Sequence, residues 1–509
     1  MTHKVFRDAI HDMIALDREE GGPAADPVAW GDALLLDLID TPPVQRLRRI
    51  RQLGTTSRVY PTAEHSRFSH ALGVMHLAKR ILHVLGTQTG VVIDRVVALQ
   101  VKVAALLHDL GHGPYSHLFE AIFGAVADHE ALGWRMIVEP GAVRTVIEQH
   151  CHRLGVEQAV FFQGLAGILG GREHSGQAVA TFGRQIISSQ LDADRMDYLL
   201  RDAYFTGVTY GHYDLEWLLH SLRLCDVTGT PRLCVDIARG PTALESYIAA
   251  RDNMYRQVYH HKTARALDAL LGHLFAVLLW GRETLGVYPP GTPPELSRYL
   301  EEVRRYDGSP PALALLLALD DAVVDYAVNH WANDLPDHPL PWAELRWKSR
   351  LFRERQPLYR RLRWYTNGLG GNRPATCSDV IDDPEFARVV DAFFSAQAAT
   401  LLPVASAVGE GTQMLPLRFL VKVDSVEHTP YAQLRYTADL PDPVFVRHGP
   451  APAMSAEHAS NLINFFGHHP QRLVRVFVDP RAHVGVVELL RATFRYPDRV
   501  ADLPTARQL

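Results

Sequence analysis

The sequence predicts a mainly α-helical protein with a smaller mixed α/β lobe towards its C-terminal end. Apolar residues recur at helical spacing from Leu34 to Leu285, which is typical of packed helices. Two apolar runs rich in β-branched residues, 418–423 and 473–478, indicate strands in the last third of the chain. A proline-rich stretch, 288–294, marks a boundary. The chain divides into three predicted parts, which are a helical core over 1–288, a helical linker region over 289–345 and a mixed α/β lobe over 346–509.

Local signals predict the individual elements in order. Asp40-Thr41-Pro42 is a stop or start signal for a helix. The segment 94–110 is apolar almost all round, which predicts a helix buried at the centre of the fold. The remaining predicted elements are a strand at 4–6, a polar loop at 19–23 and helices at 295–305, 311–331 and 484–494.

Composition limits the class of protein and its surroundings. The net charge of −5 gives no support for a globally basic surface that coats nucleic acid. No stretch reaches about 18 consecutive apolar residues, so we expect no membrane span. None of the four cysteines forms a CxxC pair, and we expect free thiols in a cytoplasmic protein. These cysteines are Cys151, Cys225, Cys234 and Cys377.

The most informative motif is the adjacent pair His108-Asp109. An apolar run precedes it and Gly111-His112-Gly113 follows it. Two unlike ligands at the end of a buried helix can reach one metal ion while the glycines turn the backbone away. A second pair, His11-Asp12, lacks both the apolar helix and the glycine break, so we do not expect it to bind metal.

Two further residues extend this site. His70 follows Arg67 by three residues, so a metal ligand and a phosphate-binding cation share one helix face. Asp194 lies in an acidic and aromatic stripe, 191–202, whose alternative interpretation is a solvated helix. Together with His108 and Asp109, these residues predict a divalent metal site for hydrolysis of a phosphate ester. The ligands do not distinguish Mg, Mn, Fe and Zn.

Five blocks in this order resemble the HD-domain metal phosphohydrolases, in particular the deoxynucleotide triphosphohydrolase (dNTPase) branch. They are Gln52-Leu53-Gly54, 67–74, 108–117, 192–198 and 259–262, and the similarity spans roughly residues 4–265. The resemblance implies a helical HD-domain core and cleavage of a dNTP to a deoxynucleoside and inorganic triphosphate. It also implies that His70, His108, Asp109 and Asp194 hold the metal.

The resemblance further implies roles for other positions. His112 and His129 would carry out proton chemistry, and Glu120 stands where the family usually has Asp as the carboxylate partner of a catalytic histidine. Arg195 replaces a lysine that is common in the family. The residues that match phosphate-contacting positions are Arg67, His117, Arg195, Arg251 and Lys262, and those that match the sugar pocket are Gln52, Leu53, Tyr198, Asp202 and Tyr259.

Nucleotide-activated members of the family have a second, regulatory nucleotide site. Five residues of this sequence resemble parts of that site, namely Lys4, Val5, Asp40, Gln45 and Arg48. Arg7, however, stands where the activated enzyme has Asn. Whether a bound nucleotide activates this protein is open. The resemblance also implies a homo-oligomer, and we expect a tetramer. The basic clusters 46–51 and 346–361 keep nucleic-acid binding as a less favoured alternative.

Three classes of function remain open at this point. The first is a dNTP triphosphohydrolase, and Arg67, Arg251 and Lys262 favour it because a long phosphate tail needs several cations. The second is an HD phosphohydrolase that acts on a signalling nucleotide or a nucleoside monophosphate. The third is a nucleotide-binding regulator without catalysis.

Overall fold

A computed structural model describes most of the 509 residues. The described ranges are 3–18, 28–88, 92–169, 180–227, 229–306, 311–356, 359–361, 364–366, 376–378, 384–407, 411–428, 430–431, 444–448, 451–468 and 471–494. The predicted polar loop at 19–23 lies outside them. The chain forms two compact units, of which the first is built from 1–264, 293–327 and 428–470 and the second from the remaining ranges. The three-part division at residues 288 and 345 stays a prediction.

The first unit is mostly helical, as the sequence predicts. Its helices are α1 (Asp32–Ile39), α2 (Pro42–Arg46), α3 (Arg67–Gln88), α4 (Arg95–Leu107), α5 (His117–Phe123), α6 (His129–Val138), α7 (Ala142–Leu154), α8 (Gln158–Leu169), α9 (Ala180–Ile187), α10 (Ala193–Thr206), α11 (Leu215–His220) and α12 (Pro241–Met254). The helix α13 (Lys262–Leu285) follows, and its first three residues belong to this unit. The later helices are α14 (Pro294–Arg304), α15 (Leu313–Leu317), α16 (Asp321–Asp334), whose residues from Val328 onward belong to the second unit, and α19 (Asn461–His468).

Helix α4 lies at the centre of the first unit. Asp94 begins it, because its side chain accepts hydrogen bonds from the backbone N–H groups of Val96 and Val97. Every residue from Ala98 to Leu107 is buried, which confirms the prediction of a central buried helix. The helix packs against α3, α8 and α9, so its C-terminal end at Leu107 emerges between helices that carry other site residues.

Small sheets complete the first unit. An N-terminal hairpin pairs β1 (His3–Asp8) with β2 (Asp12–Asp17), which extends the predicted strand at 4–6. A four-stranded sheet has the order β12-β11-β4-β3 and contains one parallel pair, β11 with β4. Its strands are β3 (Leu222–Val227), β4 (Thr230–Asp236), β11 (Phe445–Arg447) and β12 (Met454–Ser455).

The hairpin of β3 and β4 corrects the prediction of free thiols. The sulfur atoms of Cys225 and Cys234 form a disulfide, with Cα atoms 6.1 Å apart. The register pairs Arg223 with Cys234 and Cys225 with Arg232, so the hairpin turn places the two cysteines diagonally across the strands. The spacing in sequence did not reveal this pairing because the turn lies inside a region predicted to be helical. Cys151 is a free, buried thiol.

The second unit is mixed α/β. Its helices are the greater part of α13, α17 (Leu340–Arg353), α18 (Pro384–Ala396) and α20 (His483–Phe494). Its strands are β5 (Arg360–Arg361), β6 (Trp364–Thr366), β7 (Thr376–Ser378), β8 (Leu401–Ala405), β9 (Thr412–Pro416), β10 (Val421–His428) and β13 (Gln471–Val478). Their sheets are β10-β13-β5, β6-β7 and β8-β9. Val404, Leu420, Val476 and Val486 lie in its core.

Some predicted elements differ in detail from the structure. The predicted helix at 311–331 is two helices, α15 and α16, because the chain leaves the helical path between Leu317 and Asp321. The predicted strand at 418–423 begins only at Val421, after a 3₁₀ turn over Leu417–Phe419. The helices predicted at 295–305 and 484–494 and the strand predicted at 473–478 are confirmed within one or two residues.

One helix among the described residues, Lys262–Leu285, is long and apolar enough to cross a membrane by length and composition alone. Of its most apolar window, 67% is buried inside the protein, as expected of a core helix. Packing inside the protein therefore explains why this helix is so apolar.

Several residues of the two basic clusters form contacts within the chain. In the first cluster Arg46 is buried and donates to the backbone oxygens of His112 and Leu319, while Arg49 and Arg51 pair with carboxylates. In the second, Lys348 is buried beside carboxylates, and the Trp347 ring lies 3.6 Å below the Arg481 guanidinium. These contacts within the described residues give no support to nucleic-acid binding by either cluster.

Two glycines of α3 provide a matched stability prediction. A Cβ at Gly73 would lie 1.9 Å from Asp197 Oδ1, whereas a Cβ at Gly86 would meet nothing within 4 Å. We expect Gly73→Ala to lower the free energy of unfolding by about 1–3 kcal/mol through overpacking. Gly86→Ala should raise it by about 0.5–1 kcal/mol because alanine favours the helix. Denaturant titration checks both, and equal stability of the two variants would contradict the close approach at Gly73.

Candidate active site

Three helices of the first unit bring the four predicted metal ligands together. His70 lies in the first turn of α3, and His108 and Asp109 follow the last residue of α4. Asp194 lies in the first turn of α10, which Asp192 begins by accepting a hydrogen bond from the backbone N–H of Arg195. Residues 124 positions apart in sequence therefore meet at one point, as the sequence predicts.

The ligand atoms are close enough to share one ion. His70 Nε2 lies 2.9 Å from Asp194 Oδ1 and 3.7 Å from Asp109 Oδ2. His108 Nε2 lies 3.5 Å from Asp109 Oδ1 and 3.6 Å from Asp194 Oδ1. His70, His108 and Asp194 also form a group whose ligand atoms all lie within 4.8 Å of one another. Imidazole and carboxylate groups at this separation suit a divalent first-row metal or Mg²⁺.

The surroundings of these residues fit a bound cation. His108 Nδ1 contacts the backbone oxygen of Ala105 at 2.9 Å, and its Nε2 is buried without a hydrogen bond among the described residues. Burial opposes the charged form of His70, but its hydrogen bonds to Asp194 and Asp197 prevail and raise its pKa to about 10. Clustered carboxylates that attract a proton so strongly will also attract a metal ion, which displaces that proton.

The turn after α4 depends on a close backbone approach. A Cβ at Gly111 would lie 2.0 Å from the backbone oxygen of His129 and 2.4 Å from the nitrogen of Gly133. Only glycine lets this turn pack against the start of α6. The glycine break that follows the His-Asp pair therefore places His112 and His129 side by side.

Backbone strain lies immediately beyond this turn. Tyr115 and Ser116 both have φ of 57°, in the left-handed region that non-glycine residues rarely adopt. Asp321 accepts from the backbone N–H of Tyr115, and Ser116 Oγ accepts from Arg67 Nε at 2.6 Å. Arg67 also forms an ion pair with Asp109. The strained turn is thus tied to the metal ligand through one arginine, as strain at functional sites often is.

Three histidines and one glutamate lie close together beside the predicted metal ligands. The rings of His112 and His129 stack with centroids 3.9 Å apart, and His129 Nδ1 lies 2.9 Å from Glu120 Oε2. His117 is exposed and lies 3.6 Å from the same oxygen. Burial and the nearby charge of Arg67 lower the pKa of His112 well below its usual value. The nearby imidazoles of His117 and His129 lower the pKa of Glu120 despite partial burial.

The three histidines could also hold an ion, because their ligand atoms lie within 4.8 Å of one another. The contact with Glu120 gives His129 instead the arrangement of a carboxylate-oriented general acid or base. Glu120, whose side chain is one methylene longer than the Asp usual at this position, forms a hydrogen bond with His129.

Three residues of the expected sugar pocket contact one another. Asp202 Oδ2 accepts from the Tyr259 hydroxyl at 2.7 Å, and its Oδ1 lies 2.8 Å from His65 Nε2. The rings of Tyr198 and Tyr259 meet edge to face with centroids 6.0 Å apart. Tyr259 ends a π-helical turn, Tyr255–Tyr259, a rare conformation that is frequent at functional sites.

The residues expected to contact phosphate have different surroundings. Arg195 Nε donates to the backbone oxygen of Ser189 and lies 3.2 Å from Asp192, so its donors are partly used within the protein. Arg251 donates to the backbone oxygen of Pro430. Lys262 is exposed at the start of α13. Their roles, and that of Leu53 beside the cavity residue Gln52, stay predictions.

A cavity of about 230 Å³ opens at the metal ligands. Of the predicted metal ligands, His108, Asp109 and Asp194 line it. The other expected residues that line it are Gln52, Arg67, His117, His129 and Tyr198. Sequence reasoning missed its other wall, formed by Trp134 of α6, Ile168 of α8, and Arg184 and Ile187 of α9. These helices were predicted from periodicity alone, and periodicity does not tell which helix faces reach a distant motif.

The residues of the expected regulatory site share one surface. Lys4 Nζ lies 3.4 Å from Asp40 Oδ2, and the Gln45 side chain donates to the backbone oxygen of Ile39, the residue before Asp40. Arg48 donates to Gln45 at 2.8 Å. Lys4, Asp40, Gln45 and Arg48 therefore form one polar patch. Val5 is exposed on β1.

Comparison with known proteins agrees with this geometry. Residues 67–202, which contain all four predicted metal ligands and His129, match the HD domain family. This part of the chain is therefore similar to an HD domain. The resemblance predicted from the sequence motifs is therefore confirmed.

Relatives extend the similarity beyond the HD domain. The chain is 39% identical to the uncharacterised protein YwfO of Bacillus subtilis over 272 residues, which are 53% of this chain and 54% of that protein. It is 30% identical to the human deoxynucleoside triphosphate triphosphohydrolase SAMHD1 over 302 residues, which are 54% of this chain and 44% of that protein. The chain thus matches about half the length of these curated relatives.

The fold around the HD domain also occurs in solved structures. A phosphohydrolase from Bacteroides thetaiotaomicron superposes with a TM-score of 0.65 at 23% identity, covering 94% of this chain and 99% of that one. A hypothetical protein from Aquifex aeolicus superposes with a TM-score of 0.62 at 24% identity, covering 96% of this chain and 100% of that one. At these identities the likeness concerns the fold, and it confirms the prediction of a mainly helical HD-domain protein.

Proposed function

We propose that the protein is a metal-dependent dNTP triphosphohydrolase, which converts a dNTP to a deoxynucleoside and inorganic triphosphate. The observation that carries this proposal is that His129, which pairs with Glu120, lines the same cavity as three of the predicted metal ligands, His108, Asp109 and Asp194. A cation site and a carboxylate-oriented histidine in one cavity suit hydrolysis of a phosphate ester. The identity with SAMHD1 proteins over half the chain supports a dNTP as the substrate.

The residues of the site divide the work of this reaction. A divalent ion held by His70, His108, Asp109 and Asp194 would neutralise phosphate charge and provide an activated water. Water oxygen forms a bond to the α-phosphorus as the bond from phosphorus to the 5′ oxygen breaks. His129, oriented by Glu120, donates a proton to the departing 5′ oxygen. His129 suits this role better than His112, because its side chain is 19% exposed and reaches the cavity, while that of His112 is 1% exposed.

The polar patch of Lys4, Asp40, Gln45 and Arg48 leads to a further part of the proposal. A regulatory nucleotide would bind there, with Arg48 and Lys4 offering charge to its phosphates. We also propose a homo-oligomer, a cytoplasmic location and lowering of dNTP pools as the cellular role.

Product analysis of the purified full chain tests the proposed reaction. Each dNTP and each NTP is incubated with Mg²⁺ or Mn²⁺, singly and in mixtures, and the products are resolved by anion-exchange chromatography. We expect deoxynucleoside and intact triphosphate from dNTPs and slower or no turnover of NTPs. Activity only in mixtures would support the regulatory site. No product from any triphosphate, with Mn²⁺ shown to be bound, would overturn the proposal.

A further inference from the structure

The buried carboxylate of Asp197 lies behind the metal ligand His70. His70 Nδ1 lies 2.8 Å from Asp197 Oδ2, on the side of the ring opposite to the metal-facing Nε2. An ionised carboxylate only accepts hydrogen bonds, so this contact places the His70 proton on Nδ1 and leaves the Nε2 lone pair for a metal. Asp197 is fully buried, and Gly73 leaves the space for it.

Every acceptor position of Asp197 is filled. Besides His70, Arg201 donates to both carboxylate oxygens, at 2.8 and 2.9 Å. The fourth contact comes from His11, whose Nε2 lies 2.7 Å from Oδ1 and whose side chain is 1% exposed. A carboxylate has about four acceptor sites, so these four contacts fix its position and its charge. The pKa of Asp197 is held well below its usual value by Arg201, His11 and His70, although burial opposes this.

The contact from His11 comes from outside the HD domain. His11 lies in the turn of the β1–β2 hairpin, where the backbone N–H groups of Ile10 and His11 donate to Asp8 Oδ1. Asp8 in turn accepts two hydrogen bonds from Arg201, at 2.8 and 3.1 Å. The hairpin turn thus contacts both Asp197 and the arginine that holds it.

We propose that Asp8 and His11, in the turn of the N-terminal hairpin, are positioning residues that orient the metal ligand His70 through Asp197. This inference rests on the metal site of the proposed function and goes beyond it, because it assigns part of the metal site to a segment that precedes the HD domain. The pair His11-Asp12 was expected not to bind metal directly, and the structure places His11 in contact with the residue behind a ligand. Outer contacts of this kind set the orientation and basicity of a ligating histidine.

A matched pair of variants separates hydrogen bonding from packing. His11→Gln keeps an N–H donor at nearly the reach of Nε2, whereas His11→Met fills similar space without a donor. Asp12→Asn is the control, because Asp12 is exposed in the same turn and pairs only with exposed Arg7 among the described residues. Isothermal titration calorimetry of the full chain with Mn²⁺ measures affinity without any nucleotide, and thermal unfolding of each metal-free variant measures stability.

We expect His11→Met to weaken Mn²⁺ binding by about tenfold or more. His11→Gln should recover most of that loss at similar stability of the metal-free protein, and Asp12→Asn should bind like the wild type. Equal affinity of all variants, or equal losses in His11→Met and His11→Gln, would overturn the proposal. If the wild type binds no Mn²⁺, the metal site of the proposed function itself fails, and this result differs from a failure of the positioning role alone.

Discussion

Asp194→Asn is expected to remove nearly all hydrolytic activity and most of the metal affinity. The substitution keeps the shape of the side chain but replaces a charged ligand by a neutral amide. Asp194 Oδ1 lies within 3.6 Å of both ligand histidines, so its charge acts at the centre of the cluster. A bound ion contributes several kcal/mol to the reaction, so its loss should lower kcat/KM by at least about thousandfold. Mn²⁺ titration and steady-state kinetics measure both effects.

Because Asn has nearly the same shape as Asp, we expect the Asp194→Asn protein to stay folded, so a loss of activity would not result from unfolding. Asp194 is 30% exposed and forms no ion pair with an arginine or lysine among the described residues, so the variant buries no unpaired cation. Asp109→Asn would be a poorer choice, because it would leave Arg67 buried beside a neutral group. Undiminished Mn²⁺ affinity in a folded Asp194→Asn protein would contradict the assignment of this metal ligand.

His129→Asn is expected to lower kcat while leaving the metal in place. The variant loses the group that Glu120 orients, and general acid catalysis typically contributes about 10²–10⁴-fold to a rate. KM should change little, because the phosphate contacts remain. The measurement is kcat at saturating dNTP, together with the number of Mn²⁺ ions bound.

The control for this variant is His152→Asn, which changes an exposed histidine of α7 and should leave kcat unchanged. Loss of one bound Mn²⁺ in His129→Asn would instead mean that His112, His117 and His129 hold an ion. That result would contradict the proposed role of His129 as a proton donor.

The clustering of His70, His108, Asp109 and Asp194 could be predicted from the sequence because its signals are local. His108 and Asp109 are neighbours, the apolar run before them predicts the buried helix α4, and Gly111 marks the turn after it. His70 and Asp194 lie in the first turns of helices whose packing against the core follows from their apolar faces.

The remaining features depend on contacts between distant parts of the chain. His11 lies 186 residues from Asp197, and no pattern within either segment shows that they meet. The disulfide of Cys225 and Cys234 depends on a hairpin that periodicity placed in a helical region. Arg184 lines the cavity because of how α9 packs, and an isolated arginine in a helix gives no local sign of this.

Hydrolysis of a dNTP in water labelled with ¹⁸O tests the central claim most directly. Attack at the α-phosphorus transfers the water oxygen to the phosphate product, so the account predicts one ¹⁸O in inorganic triphosphate and none in the deoxynucleoside. Mass spectrometry of both products reads the result, and Asp194→Asn should give neither product above background. Labelled deoxynucleoside would mean cleavage of the carbon–oxygen bond. Labelled orthophosphate or pyrophosphate in place of triphosphate would show attack at another phosphorus, and either result would contradict the proposed reaction.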